Sequence, residues 1–170
     1  MAIKIIPYCE VDGCRTFRDA EIMEIYDRIE ADGKTNRVFS DGSIDSREGF
    51  LRSMKHGDNM LFVIIEDDQV VGITWLNRFR YRTAHCHFCF LCPWSKAVVA
   101  GKQVLATLMG RRDSTGRYLY DLFQGVIPVK NKTAITFARA VGGKSLGLLP
   151  CAVWNRDAVS EDAEFIYFTR

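Results

Sequence analysis

The stretch from His85 to Cys92, HCHFCFLC, holds two of the chain's three histidines and three of its six cysteines. Its thiols recur at every third position, a spacing found around zinc and iron–sulfur centres. The same stretch could instead supply a thiol nucleophile or a histidine base. A metal-binding module is therefore the first hypothesis that this segment raises.

We favour a different interpretation, in which the stretch is a strand. Side chains alternate along a strand, so His85, His87 and Cys89 share one face, and Cys86 and Cys92 share the other. Thiolates on opposite faces cannot converge on one ion, and no second Cys or His cluster completes a tetrahedral set. We therefore expect no metal. If the histidine face lines a cleft, His85 or His87 can act as a base near neutral pH.

The length of 170 residues suggests one domain over residues 1–170, long enough to bury a real core. A net charge of +2 gives no reason to expect nucleic acid or an anionic membrane as a partner. No apolar run approaches the roughly 20 residues of a membrane span, and the N-terminus does not resemble a signal peptide. Without an export signal we expect reduced cysteines and a cytoplasmic location.

The pattern of apolar residues indicates which elements must position these groups. Helical spacing indicates helices over 15–33 and 46–55, the second capped by Ser46, with a polar loop between them. Short β-branched runs indicate strands, two of them joined as a hairpin by the turn DDQ. The predicted order is a strand over 3–8, the two helices, strands over 59–66, 70–79 and 85–92, a helix within 93–112, a strand within 117–128, a helix within 130–143, and strands over 144–154 and 162–170. This order predicts an α/β or α+β sheet covered by helices.

Two segments carry a resemblance to a known family. In the first, Lys96, Val99 and Gly101 stand at the basic and two glycine positions of a phosphate-binding loop, and the apolar pair Val104-Leu105 follows. In the second, a strand is followed by Asn131 and then, after a helix, by glycines at 142 and 147. In this order the segments resemble the GNAT superfamily of acyl-CoA N-acyltransferases, as a divergent member with a degenerate pyrophosphate loop.

The resemblance implies a single GNAT-like domain. Its centre is a mixed, mostly antiparallel sheet of about seven strands, flanked by about four helices. It also implies acetyl-CoA or another acyl-CoA as co-substrate, bound where the sheet splays after its fourth strand. The backbone of Phe90, Leu91 and Cys92 would meet pantetheine. The pyrophosphate would meet the amides of Val98, Val99, Ala100, Gly101 and Lys102, with charge from Lys96 and Lys102. Asn131 would contact the cofactor arm or fix the start of the following helix.

The sequence departs from the family at three positions that bear on chemistry. Ala138 stands where the family often has a tyrosine acid, and an alanine transfers no proton. Gly143 replaces a phenylalanine after the helix-ending glycine. Val99 brings a side chain to a loop position where bare backbone is expected, and valine resists a positive φ.

Other residues are candidates for the missing roles. His85 and His87 are candidate bases, and either can equally be a packed or surface histidine. Tyr120, with Tyr118, precedes the fifth strand and is a candidate acid, or else a packing residue. Trp94 can line the cleft or anchor its loop. The arginines at 78, 80 and 82 either attract an acidic acceptor or form a solvated hairpin end.

Two functions stay open from the sequence. The first is an acyl-CoA-dependent N-acyltransferase, most simply an acetyltransferase, acting on a small-molecule or peptide amine. The second is a catalytically inactive GNAT-fold binding or assembly protein, related to phage or prophage proteins. Family relatives often dimerise through their last strands, so a homodimer is a further expectation.

Overall fold

A mixed sheet forms the centre of the structure, which is a computed structural model that describes residues 3–170. The strands of the described chain are β1 Ile3–Pro7, β2 Glu10–Val11, β3 Cys14–Arg15, β4 Met60–Glu66, β5 Gln69–Arg80, β6 Thr83–Phe90, β7 Leu122–Pro128, β8 Lys144–Trp154 and β9 Ser160–Thr169. Seven of them form one sheet in the order β1-β4-β5-β6-β7-β9-β8, while β2 and β3 form a separate hairpin. All neighbours are antiparallel except β6 and β7. The predicted fold class is confirmed.

The helices are α1 Asp19–Ala31, α2 Thr35–Val38, α3 Arg47–Lys55, α4 Trp94–Met109 and α5 Lys132–Ala140. Helix α1 begins later than predicted because Arg15 pairs with Glu10 in the β2–β3 hairpin. The short helix α2 lies at the start of the segment predicted as a loop. Strand β7 begins at Leu122 rather than near residue 117, because the preceding residues form a turn bridged from Arg112 to Tyr118.

Two helix starts carry the side-chain caps that their sequences suggest. Ser46 accepts a hydrogen bond from the Gly49 amide at 3.2 Å, which confirms the predicted cap of α3. Asn131 accepts one from the Ala134 amide at 3.1 Å at the start of α5. Such caps stabilise a helix by about 1 kcal/mol because they satisfy amides that have no partner within the helix. The start of α5, which matters below, is thereby fixed.

Both faces of the sheet are covered, which gives two cores. Helices α4 and α5 pack on the face that includes Phe62 and Phe123. Helices α1 and α3 pack on the face that includes Leu61 and Val63. Fully buried side chains of this size each contribute about 1.5–3 kcal/mol. Neighbours along β4 thus belong to different cores, as alternation in a strand requires.

Strand β6 separates from its neighbour β7 partway along its length. The two strands pair only from Thr83 to His85, against Leu122 to Gln124. Beyond that point β7 continues to pair with β9 up to Pro128. Within the described chain, β6 from Cys86 onward therefore has a partner strand only on its β5 side. This divergence opens the cleft described below.

Strand β8 forms the far edge of the sheet and is largely exposed. It presents apolar side chains to solvent, including Leu146, Leu148 and Trp154. No helix over residues 3–170 has both the length and the apolar character needed to cross a bilayer.

Candidate functional site

A cleft of about 720 Å³ lies where β6 and β7 diverge. One part of its wall, here called the histidine half, consists of β5 and β6 side chains: Trp75, Asn77, Arg78, His85 and His87. The other part, here called the helix half, surrounds the end of β6 and the starts of α4 and α5: Cys92, Trp94, Ala97, Asn131, Phe137 and Ala138. The two halves belong to one continuous space.

The strand alternation predicted for HCHFCFLC is confirmed, and it turns the two histidines toward this cleft. Cys86 is buried in the α4–α5 core and Cys89 in the α1–α3 core. His85 and His87 both line the cleft, with ring centroids 6.4 Å apart. Within residues 3–170 no group of three or more His, Cys, Asp or Glu residues could hold a metal ion.

Two β5 residues hold the ring of His87 in place. The His87 imidazole stacks on Trp75, with centroids 4.7 Å apart and planes 7° from parallel. Its Nε2 lies 3.0 Å from Oδ1 of Asn77. An amide oxygen only accepts hydrogen bonds, so Nε2 carries the proton and Nδ1 keeps a lone pair. The ring is therefore fixed in orientation and in tautomer.

Burial keeps both histidines neutral. Loss of solvent is the main cause that lowers the pKa of His87 to about 4, with His85 and the charge of Arg78 adding to it. The pKa of His85 is also lowered, first by burial and then by Arg78. Neutral imidazoles accept protons, but such a lowered pKa makes His87 a weak base at neutral pH.

The cysteines of β6 are not activated as nucleophiles. Burial raises the pKa of Cys86 to about 12, against a smaller opposing effect of the hydrogen bond with Thr74. Burial likewise raises the pKa of Cys89 to about 12. Because the thiolate is the nucleophilic form, both residues act as buried apolar side chains.

Tyr120, a candidate acid from the sequence, lies apart from the cleft. Its hydroxyl is 3.7 Å from the sulfur of Met60, and its ring packs on Phe123 at a centroid distance of 5.0 Å. Burial raises the pKa of this phenol. The side chain is part of the α4–α5 core, and the structure does not bring it together with His85 and His87.

The backbone at the end of β6 is partly occupied by other groups. The amide of Leu91 donates to the carbonyl of Val71 at 2.8 Å, so it extends the β5–β6 pairing. The carbonyl of Phe90 accepts a hydrogen bond of 2.9 Å from the ammonium of Lys34. Phe90 and Cys92 line the cleft. These are two of the three residues expected from the resemblance to meet pantetheine.

Helix α4 begins earlier than the resemblance suggests. The helix starts at Trp94, and the amide of Ala97 already donates to the Pro93 carbonyl at 3.0 Å. The amides of residues 98–102 lie in the body of the helix, where each amide bonds the carbonyl four residues earlier. Free amides at a helix start belong to its first turn, which here is residues 94–96. The five amides expected to meet the pyrophosphate thus lie one turn too deep.

Side chains at this helix start are also engaged. The Lys96 ammonium lies 2.7 Å from a carboxylate oxygen of Glu66, and this pairing raises the Lys96 pKa. Val99 is 61% exposed and lies outside the cleft wall. In the helix body it has no need of a positive φ, so its β-branched side chain causes no backbone strain.

Gly101 permits close packing between α4 and α5. A Cβ atom at this position would lie 2.6 Å from the ring of Phe137 and 2.9 Å from Val141. Phe137 lines the helix half of the cleft and contacts the ring of Trp94, at a centroid distance of 6.1 Å. The glycine therefore positions a wall of the cleft from behind, while its own backbone stays covered.

Asn131 and Ala138 lie in the wall of the helix half. Besides capping α5, Asn131 donates from Nδ2 to the carbonyl of Arg37 at 3.3 Å. Of its two expected roles, fixing the helix start is the one that its hydrogen bonds display. Ala138 is buried at the family's tyrosine position and leaves room in the cleft.

Four residues of the cleft wall were not predicted from the sequence as site residues: Lys34, Trp75, Asn77 and Phe137. The register of the β5–β6 hairpin places Trp75 opposite His87 and Asn77 opposite His85. Counting outward from the turn would have missed this register, because a shift between Asn77 and Arg80 displaces it by one residue. Lys34 gave no signal either, because its contact with Phe90 joins residues far apart in the chain.

Comparison with known proteins gives the fold a name. By sequence, the chain matches no protein-family model and no curated protein. By structure, it is similar to a probable GNAT-family acetyltransferase from Chromobacterium violaceum, with a TM-score of 0.72 at 14% identity over 99% of this chain and 83% of the other. It is similar to the microcin C7 self-immunity acetyltransferase, solved with acetyl-CoA and AMP, with a TM-score of 0.67 at 16% identity over 88% of each chain.

A third similar structure is a spermidine N-acetyltransferase from Vibrio cholerae, solved with CoA and spermine. Its TM-score is 0.66 at 11% identity, over 97% of this chain and 95% of the other. At such identities the likeness establishes the fold alone. The chain has the GNAT acetyltransferase fold, as the resemblance in its sequence implied.

Proposed function

We propose that the protein is an acyl-CoA-dependent N-acyltransferase, with acetyl-CoA as donor and an amine as acceptor. The observation that carries the proposal is the continuous cleft at the divergence of β6 and β7. Its helix half offers a path for the cofactor arm, and its histidine half offers a place for the amine. Similar structures that were solved with acetyl-CoA or CoA support the choice of donor.

The proposed reaction joins the acceptor nitrogen to the thioester carbon. The C–N bond forms, the C–S bond breaks, and CoA leaves as a thiolate. One proton passes from the nitrogen to His85 or to Nδ1 of His87, directly or through water, and another proton neutralises the thiolate. Among the backbone amides at the end of β6, that of Leu91 already donates to the carbonyl of Val71. The Cys92 amide is therefore our candidate donor to the developing oxyanion.

A weak base suffices only if the acceptor loses its proton easily. The cleft favours this loss because burial and the charge of Arg78, which lower the pKa of both histidines, also disfavour an ammonium group. With Ala138 at the tyrosine position and Tyr120 in the core, we assign no side-chain acid to the thiolate. We propose that solvent, or the proton held by a histidine, fills this role.

Calorimetric titration with acetyl-CoA tests the proposal. We expect a dissociation constant between about 1 μM and 1 mM, in the range of enzyme substrates. Trp94→Ala removes an aromatic wall of the helix half and should weaken binding about tenfold. Val99→Ala, on the exposed side of the same helix, should leave it unchanged. A chain that binds no acetyl-CoA at millimolar concentration is not an acetyltransferase.

Turnover should be followed by mass spectrometry of the acetylated amine. Reagents that detect free CoA would also react with Cys9, Cys14 and Cys151, which are exposed free thiols.

All six cysteines are free in the structure, which supports our proposal of a cytoplasmic, reducing location. The homodimer stays a prediction, for which the exposed edge β8 is the candidate surface.

Specific contacts favour the second candidate function, a non-catalytic binding or assembly protein. Lys96 is paired with Glu66, Lys34 occupies the Phe90 carbonyl, and Gly101 faces Phe137. Each of these groups would otherwise be available to a cofactor. Binding of acetyl-CoA with no transfer to a broad panel of amines would favour this candidate over the enzyme.

A further inference from the structure

Arg78 lies at an irregular point of β5, where strand alternation would send its side chain away from the cleft. Trp75 and Asn77 face the cleft, so in a regular strand the next residue would face the other core. The β5–β6 register shifts here, from Asn77 opposite His85 to Arg80 opposite Thr83. Two residues of β5 thus stand against one of β6, which is a β-bulge.

The bulge returns Arg78 to the cleft at a cost in backbone energy. Arg78 has a φ of 48°, in the left-handed region that costs a non-glycine residue about 1 kcal/mol. Its guanidinium belongs to the histidine half, where its charge acts on both His85 and His87. A strained backbone that aims a cation into a cleft indicates a role for that cation.

The charged groups of the cleft wall are mostly cationic. Lys34, Arg37 and Arg78 carry positive charge, and Asp41 is the single acid among the described wall residues. The Asp41 carboxylate already accepts hydrogen bonds from the amide and hydroxyl of Ser43, at 3.1 and 2.7 Å. A polyamine, which carries several positive charges, would meet repulsion here and little compensation.

The two arginines of the wall are free to bind an anion. Lys34 is paired with Asp32 at 2.6 Å, but neither Arg37 nor Arg78 makes an ion pair within residues 3–170. A guanidinium presents a planar fork of donors that matches the geometry of carboxylates and phosphates. The wall therefore combines two neutral histidines with two unpaired guanidinium groups.

We propose that the acceptor is an amine that also carries an oxyanion, a carboxylate or a phosphate, and that Arg78 binds this oxyanion with help from Arg37. The amine part of this inference rests on the proposed transfer reaction, whereas the oxyanion part rests on the cleft wall. Polyamines, which the similar Vibrio cholerae enzyme is named for, are excluded as acceptors by this reasoning.

The test compares primary amines that differ in the charged group they carry besides the amine. We would use 4-aminobutyrate and O-phosphoethanolamine as the carboxylate and phosphate arms, butylamine as the arm without an oxyanion, and spermidine as the polycationic arm. Equilibrium binding is measured by NMR titration with and without CoA, and transfer is measured with acetyl-CoA. A charge-assisted contact of the usual strength predicts that one oxyanion arm is favoured about 10- to 100-fold over butylamine.

Single substitutions then test whether Arg78 causes the preference for amines that carry an oxyanion. Arg78→Gln should remove the preference for the oxyanion arm: it should weaken binding of that arm, and it should not weaken butylamine binding, because the lost charge disfavours an ammonium group. Arg80→Gln, two residues along the same strand and outside the cleft wall, should keep the preference. Tighter binding of spermidine or butylamine, or an equal effect of Arg78→Gln on every amine, overturns the inference.

The binding measurements keep the two proposals apart. If an oxyanion amine binds selectively and through Arg78 but is not acetylated, the inference about Arg78 is supported and the proposed transfer reaction is wrong. Transfer to amines regardless of their charge supports the proposed reaction and overturns the inference.

Discussion

The buried histidine of the cleft should make the protein less stable as the pH falls. Burial lowers the folded-state pKa of His87 from its usual 6.5 to about 4. The unfolded chain therefore binds this proton at a higher pH than the folded chain does. The contribution to stability is fully present above pH 6.5 and is lost progressively as the pH falls toward 4. Below that pH the folded chain also binds the proton on His87, so stability no longer falls for this reason.

The size of the His87 pKa shift determines how much stability is lost. The whole contribution is about 3 kcal/mol, of which about 2 kcal/mol is lost between pH 7 and pH 5. His87→Phe keeps an aromatic ring against Trp75 but cannot titrate. It should cost about 1–3 kcal/mol at pH 7, because Asn77 loses its partner, and much of that deficit should disappear at pH 5.

Urea denaturation of both proteins at pH 7 and pH 5 measures this difference. Carboxylates that titrate in the same range are common to both proteins and cancel in the comparison. An NMR titration of the imidazole gives the pKa directly. If wild type and variant lose the same stability between the two pH values, the desolvation argument for His87 is wrong. The proposal that His87 acts as a neutral base in catalysis would then lose its support.

Other predictions concern the helix half of the cleft. Gly101→Ala should destabilise the protein by about 1 kcal/mol, because the clash with Phe137 outweighs the better helix propensity of alanine, and it should also weaken acetyl-CoA binding. Val99→Ala on the same helix should instead stabilise by about 0.5 kcal/mol, as thermal unfolding would measure. Glu66→Gln frees Lys96 and should tighten acetyl-CoA binding up to about fivefold in calorimetry, whereas an unchanged affinity would mean that Lys96 does not reach the phosphates.

Local patterns predicted much of the fold because they report local geometry. Alternation along HCHFCFLC placed Cys86 and Cys89 in different cores and His85 and His87 on a common face, and the structure agrees. Ser46 marked the start of α3 for a similar reason, since a cap acts over three residues. The two segments around α4 and α5 resembled the GNAT superfamily, and the structure has that fold although the identity to similar structures is only 10–16%.

The motif at α4 is a case in which residue spacing did not predict the structural role of its residues. Lys96 and Gly101 have the spacing of a phosphate-binding loop, but spacing does not reveal where a helix begins. The helix starts at Trp94, so the glycine packs against Phe137 from α5. That contact joins segments more than thirty residues apart, which no local pattern records.

By itself, then, the sequence determined the seven strands of the main sheet, the four longer helices and the faces of β6, because these depend on periodicities of a few residues. Tertiary structure alone decided which groups share the cleft. It brought Trp75 and Asn77 against His87, moved Tyr120 into a core, and aimed Arg78 through a bulge. The physical reason is that a site is assembled by contacts between distant segments. Strand register and a single irregular residue can change its chemistry while every local element stays the same.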